Sequence, residues 1–127
     1  MNMKMIKGSG MLSTFFTYKG SSYIEGVFWE EIDIEVLGKD NAEIMSTNII
    51  TDGVTGDEDH STVEVNLGYS LADDYHTYAL VWTPDSIVWY IDDMLQRKET
   101  GSVTSLLTSP EGYRLNAWIS CSPGWVG

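Results

Sequence analysis

An all-β fold is predicted for this chain of 127 residues by three observations. Helical periodicity is nearly absent, short runs of β-branched and aromatic residues recur, and Gly, Pro, Asp and Ser punctuate them. The runs place strands at 2–7, 11–18, 30–37, 44–51, 62–67, 76–82, 86–92, 94–99 and 113–119.

Each element has a local reason. Residues 2–7 read as the interior of a strand with nothing before it. Met11 to Tyr18 mixes apolar, β-branched and aromatic residues, which suit a half-buried pleated surface. Residues 30–37 alternate polar with apolar, and Lys39-Asp40 turns the chain into 44–51, IMSTNIIT. Asp52 to His60 is a polar loop, followed by 62–67. Thr83-Pro84-Asp85-Ser86 sets Pro at the second position of a turn, where its fixed φ fits. Asp92-Asp93 joins 86–92 to 94–99 as a hairpin turn; Asp tolerates left-handed backbone, although Asp-Gly would suit it better. Residues 100–112 are irregular apart from a helical turn at 103–107. The chain reaches Trp125-Val126-Gly127 without a closing strand. The expected sandwich is therefore incomplete at both ends, with edges that invite aggregation.

One folded unit is expected, because no repeat, linker or composition break divides the chain. With 43% apolar residues, including five Trp, seven Tyr and three Phe, it has ample area to bury and is not disordered in bulk. Seven basic against 19 acidic residues leave a formal charge of −12. That field repels phosphate backbones and anionic lipid, which argues against nucleic acid and membrane surfaces as partners. No apolar run approaches the ~20 residues that span a bilayer, and residues 1–12 lack the apolar block of a signal peptide. A single cysteine, Cys121, excludes an intrachain disulfide and a Cys-based metal cluster.

The chemistry concentrates in Trp29 to Gly38. A side-chain period of two puts Glu31, Asp33 and Glu35 on one face and Ile32, Ile34 and Val36 on the other. Three like charges about 6.6 Å apart along a strand raise one another's pKa. That suits a site where one carboxyl must stay protonated while another is ionised. The plainer reading is a solvated edge strand. Glu31 and Glu35 lie about 13 Å apart at Cα by this spacing, and long side chains can close that gap. The backbone alone does not choose between the ~5–5.5 Å of retaining and the ~6.5–9.5 Å of inverting glycosidases. The aromatics Phe16, Tyr18, Trp29, Trp118 and Trp125 suit a cleft in which flat rings pack on sugar faces. Trp82 and Trp89, each inside an apolar run, read as core.

Glu31-Ile32-Asp33-Ile34-Glu35 resembles the unbulged E-x-D-x-E signature of family 16 glycoside hydrolases. WEEIDIEVLGKD (29–40) resembles the licheninases within it, the 1,3-1,4-β-glucanases, and stretches at 3–18, 46–53, 76–93 and 112–127 agree in order. The likeness covers essentially the whole chain. It implies a concanavalin A-like jelly-roll sandwich with a glycan cleft, and endo-acting, retaining cleavage of mixed-linkage β-glucan by double displacement. By the same resemblance Glu31 is the nucleophile, Glu35 the acid and base, and Asp33 the group that orients Glu31. Asn48 matches a sugar-contacting residue, and Phe16, Tyr18, Trp29, Arg114, Asn116, Trp118 and Trp125 match subsite residues. His76 matches a structural histidine.

No cofactor is required on this reading. Calcium stabilises many such enzymes, but its usual ligands fall in segments this chain does not contain, so no metal site is expected here; Asp57-Glu58-Asp59-His60 reads as a solvated loop. Family members run to roughly 200–250 residues in one domain, so the chain is expected to be part of a longer, monomeric protein. Its substrate is too large to enter a cell, which implies secretion. Two alternatives stand. A relative acting on xyloglucan or 1,3-β-glucan would share the chemistry. The short spacing argues against laminarinase-type members, and Asn41-Ala42-Glu43 is not the sequon usual after the catalytic strand in xyloglucan transglycosylases. A non-catalytic glycan-binding sandwich would keep the aromatics but would have no use for a complete acidic trio.

Overall fold

The computed structural model describes residues 1–20, 29–51, 54–55 and 62–127. Among them, antiparallel strands form two sheets. One runs β1 (Asn2–Met3), β7 (His76–Thr83), β8 (Ser86–Ile91), β9 (Met94–Thr100). The other runs β10 (Gly112–Ile119), β2 (Met11–Lys19), β3 (Glu30–Leu37), β4 (Ile44–Thr51). Two short strands, β5 (Val54–Thr55) and β6 (Val63–Asn66), pair with successive stretches of β4. A 3-10 turn at Asp40–Ala42 and two short helices, α1 (Ser102–Leu106) and α2 (Pro123–Val126), complete the described chain.

The sheets pack face to face because their strands alternate. Ile32, Ile34 and Val36 of β3 and Met45 and Ile49 of β4 are buried in one cluster with Tyr78, Ile87, Trp89 and Ile91 of the opposite sheet. Burying each such side chain contributes about 1.5–3 kcal/mol. Trp89 is fully buried, and Trp82 packs half-buried against the cluster, so both are core as expected. The hairpin turn holds Asp92 and Asp93 at φ of 49° and 64°. His76 Nδ1 and the Asp92 carboxylate lie 2.6 Å apart, so the turn is tied back to β7.

The strands at 30–37 and 44–51 coincide with β3 and β4. The expectation of a strand over 2–7 is corrected: only Asn2 and Met3 pair, with Thr77 and His76. Beyond them the chain leaves the ladder, with the Met5 amide donating to the Leu71 carbonyl and the Ile6 amide to the Ser13 hydroxyl. Residues 54–55 form a strand within a span read as loop, and Asp57 to His60 lies outside the described residues. Trp125 stands in the single turn of α2.

Candidate active site

Register brings the acids together. Glu31, Asp33 and Glu35 project from one face of β3, and the residues opposite them on β2 and β4 share that face. Glu31 lies between Tyr18 and Ile50, Asp33 between Phe16 and Asn48, and Glu35 between Thr14 and Ser46. A recess of about 110 Å³ is lined by Thr14, Phe16, the three acids, Asn116 and Trp118. β10 supplies the last two because Asn116 pairs with Thr14 and Trp118 with Leu12.

The three acids are not equivalent. Asp33 is only 6% exposed, and burial above all holds its pKa well above the usual carboxylate range; the charges of Glu31 and Glu35 and a hydrogen bond with Glu31 act in the same direction. Glu35 is pushed up to about 7, first by burial and then by the charge of Glu31. Trp29, just before β3, donates its indole N–H to the Glu31 carboxylate at 2.5 Å. Such an arrangement keeps a proton on Glu35 near neutral pH beside a hydrogen-bonded carboxylate, the division of labour that acid and nucleophile need.

The remaining expected residues take graded positions. Phe16, Asn116 and Trp118 line the recess. Arg114 stands over the Tyr18 ring, 4.5 Å from its centroid, and Tyr18 pairs with Glu31. Trp125 packs against Trp118 with ring centroids 6.0 Å apart, and reaches the recess only through it. Asn48 lies beside Asp33, but its side-chain carbonyl accepts from the Ile49 amide and the Thr62 hydroxyl, and it does not line the recess.

Several residues were not evident from sequence. The hydroxyls of Thr14 and Ser46, on either side of Glu35, are buried and have no hydrogen-bond partner among the described residues. The period of two would have marked them, since each sits two residues before an expected site residue. Glu111, before β10, has both carboxylate oxygens shut from solvent, and burial raises its pKa. It stands in an irregular stretch where no pattern flags it. Glu30 belongs to the acidic run but faces the other way: it is buried and accepts from the Ser109 amide at 3.1 Å, with Lys19 Nζ 3.4 Å away. No three His, Cys, Asp or Glu side chains among the described residues converge to hold a metal ion.

The sequence profile described as Glycosyl hydrolases family 16 matches residues 1–120. A β-glucanase of Bacillus licheniformis is 42% identical over 127 residues, which are 99% of this chain and 48% of that protein. A solved β-1,3-1,4-glucanase (lichenase) from a mouse hindgut metagenome superposes with a TM-score of 0.81 at 30% identity, covering 99% of this chain and 55% of that one. The solved Crh5 transglycosylase superposes at 0.73 with 28% identity, covering 93% and 46%. The chain thus spans about half the length of the relatives it matches. With the profile extending over nearly all of its residues and the acidic trio aligned on one strand, the chain belongs to glycosyl hydrolase family 16 and has the jelly-roll sandwich of that family.

Proposed function

We propose that this chain carries the catalytic strand of a secreted, endo-acting β-glucan hydrolase that cleaves mixed-linkage 1,3-1,4-β-glucan with retention of configuration. The observation that carries the reading is the unequal trio: three carboxyls on one face, with Glu35 titrating near 7 and Trp29 bonded to Glu31.

Glu31 attacks the anomeric carbon while Glu35 gives its proton to the departing glycosidic oxygen, leaving a glycosyl ester on Glu31. The ester is neutral. Because the charge of Glu31 is one of the two causes that raise Glu35, its loss lowers the proton affinity of Glu35 at that moment. Glu35 is then the base that takes a proton from water as the water attacks the same carbon. Asp33, held protonated, donates to Glu31 and fixes its orientation. Phe16, Tyr18, Trp118 and Trp125 offer ring faces to successive glucosyl units, while Arg114, Asn116 and Asn48 offer hydrogen bonds.

The test is a comparison of barley β-glucan, laminarin and xyloglucan as substrates of the whole protein, with the anomer of the first product read by NMR. Mixed-linkage cleavage with a β-anomer first is expected. Glu31→Gln should abolish turnover and keep glucan binding; turnover that survives it removes Glu31 as nucleophile. The likeness to Crh5 supports a second reading, in which a sugar hydroxyl replaces water as acceptor. Products longer than the substrate, formed when a short glucan acceptor is added, would favour it.

A further inference from the structure

The strand bearing the three acids is gripped from beneath. Trp89, in β8, is fully buried, and its indole N–H donates across the core to the main-chain carbonyl of Asp33 at 2.9 Å. A carbonyl has two lone pairs, so it can accept the indole in addition to a ladder partner. Arg97 lies opposite Trp89 on β9 and is 7% exposed, with its guanidinium 4.7 Å from the indole ring centroid. The same guanidinium donates to the Thr47 carbonyl at 3.1 Å and hydroxyl at 2.8 Å, and to Glu99 at 2.9 Å. Thr47 pairs with Ile34, and the next residue, Asn48, pairs with Asp33. Indole and guanidinium therefore hold β3 and β4 at one level, that of the middle acid.

Two features set this contact apart from ordinary packing. The β8–β9 ladder shifts register between Trp89 and Tyr90, and such bulges bend a strand and re-aim its side chains. A buried guanidinium also carries a desolvation cost that an apolar residue of similar volume would not. The neighbouring core positions on β8, Ile87 and Ile91, are of that apolar kind.

We propose that Trp89 and Arg97 act as a positioning strut that fixes the backbone of Asp33, and through it the mutual placement of Glu31, Asp33 and Glu35 for glycoside cleavage. The proposal rests on the reading of the trio given above. A misplacement of about 1 Å costs on the order of a hundredfold in rate, and a supporting shell must hold reacting groups to about 0.5 Å. The charged groups facing Asp33 are Glu31 and Glu35 on its own strand and Glu111 before β10. A local shift of the Asp33 backbone within β3 changes its side chain's distance from all three.

Two variants of the whole protein test the strut. Trp89→Phe removes the donor and keeps a ring; Arg97→Lys keeps charge and stem but loses the planar fork that stacks and bonds at once. For each, kcat, KM, the pH dependence of kcat, the melting temperature and the carboxyl-carbon NMR titrations of Asp33 and Glu35 are compared with wild type. The expectation is a kcat at least about tenfold lower, a KM changed by less than about twofold, and displaced midpoints for both carboxyls. A lower melting temperature with unchanged kcat and unchanged titrations would overturn the strut. Should Trp89→Phe fail to fold, Arg97→Lys decides by the same readouts. A wild type that cleaves no glucan sinks the functional reading alone, since the carboxyl titrations still decide whether the strut sets the trio.

Discussion

Glu35 is the residue whose proton the surrounding protein controls most plainly, and its titration has two consequences. Its carboxyl rises from 4.5 to about 7 on folding. Across that window the folded chain keeps a proton on Glu35 that the unfolded chain releases, so the contribution of Glu35 to stability is full below 4.5 and is lost as pH rises through about 7. The loss from Glu35 is on the order of 3 kcal/mol, and Asp33 adds to it in the same direction. Urea unfolding at about pH 5 and about pH 8 should show this fall, and Glu35→Gln should reduce it, leaving the part that Asp33 contributes. The same substitution should lower kcat by about 10²–10⁴-fold, less for an aryl leaving group that departs without a proton. A pH dependence of stability undiminished in Glu35→Gln would assign it to other groups. The hydroxyl of Thr14, without a partner among the described residues, permits a separate experiment. Replacing a buried, unbonded hydroxyl by an apolar group of the same shape is neutral or stabilising, so Thr14→Val should keep or raise the melting temperature while lowering activity. A fall in both together would mean that the hydroxyl has a partner in the folded protein.

At the scale of elements, β3 is framed by two backbone details. Gly38 ends it where a Cβ would stand 2.5 Å from the Gly8 carbonyl oxygen and 3.0 Å from that of Ile6. Its amide and carbonyl are also both engaged, with Met11 at 2.8 Å and Gly8 at 2.9 Å. Main chain cannot swing aside as a side chain does, so Gly38→Ala should cost about 1–3 kcal/mol in denaturant unfolding; no loss would mean that this junction gives way freely. The β8–β9 turn responds oppositely. Asp93 sits at φ of 64°, a region that costs a residue with a Cβ about 1–2 kcal/mol, less for Asp. Asp93→Gly should therefore raise the melting temperature by a few degrees, and a decrease would mean the carboxylate makes a compensating bond. Both β3 and β4 were legible in the sequence, because alternation and β-branched composition agreed there. Residues 4–7 were not: Met5 and Ile6 between two lysines read as strand, whereas Met5 is buried with Leu71 in the core and its amide bonds that residue's carbonyl. The acids' common face followed from periodicity alone. The same period puts Thr14 and Ser46 on the faces of Phe16 and Asn48, but that they flank Glu35 is set by pairing register, which periodicity does not show.

At the scale of the whole molecule, contacts across the core were the least legible. The indole of Trp89 meets a carbonyl 56 positions earlier in the chain, and local composition marked that tryptophan only as core. Distant segments also leave one surface whose behaviour is set by two opposed forces. β10 pairs only with β2 among the described residues, and all its residues are exposed. Tyr113 and Ile119, each 70% exposed, and Leu115 continue the apolar side of the sheet that β3 buries. An unpaired edge with exposed apolar residues favours strand-to-strand association. A net charge of −12 opposes it between two copies, but that repulsion weakens as the screening length contracts from about 10 Å at 0.1 M salt toward about 3 Å at 1 M. The 127-residue chain should thus sediment as a monomer at low ionic strength and associate as salt is added. Ile119→Lys puts a charge on the edge without touching the acid-bearing face, and should keep the chain monomeric at both salt concentrations. Association that falls with salt, or that Ile119→Lys leaves unchanged, would place the contact elsewhere and make attraction between charges, not the apolar edge, its cause.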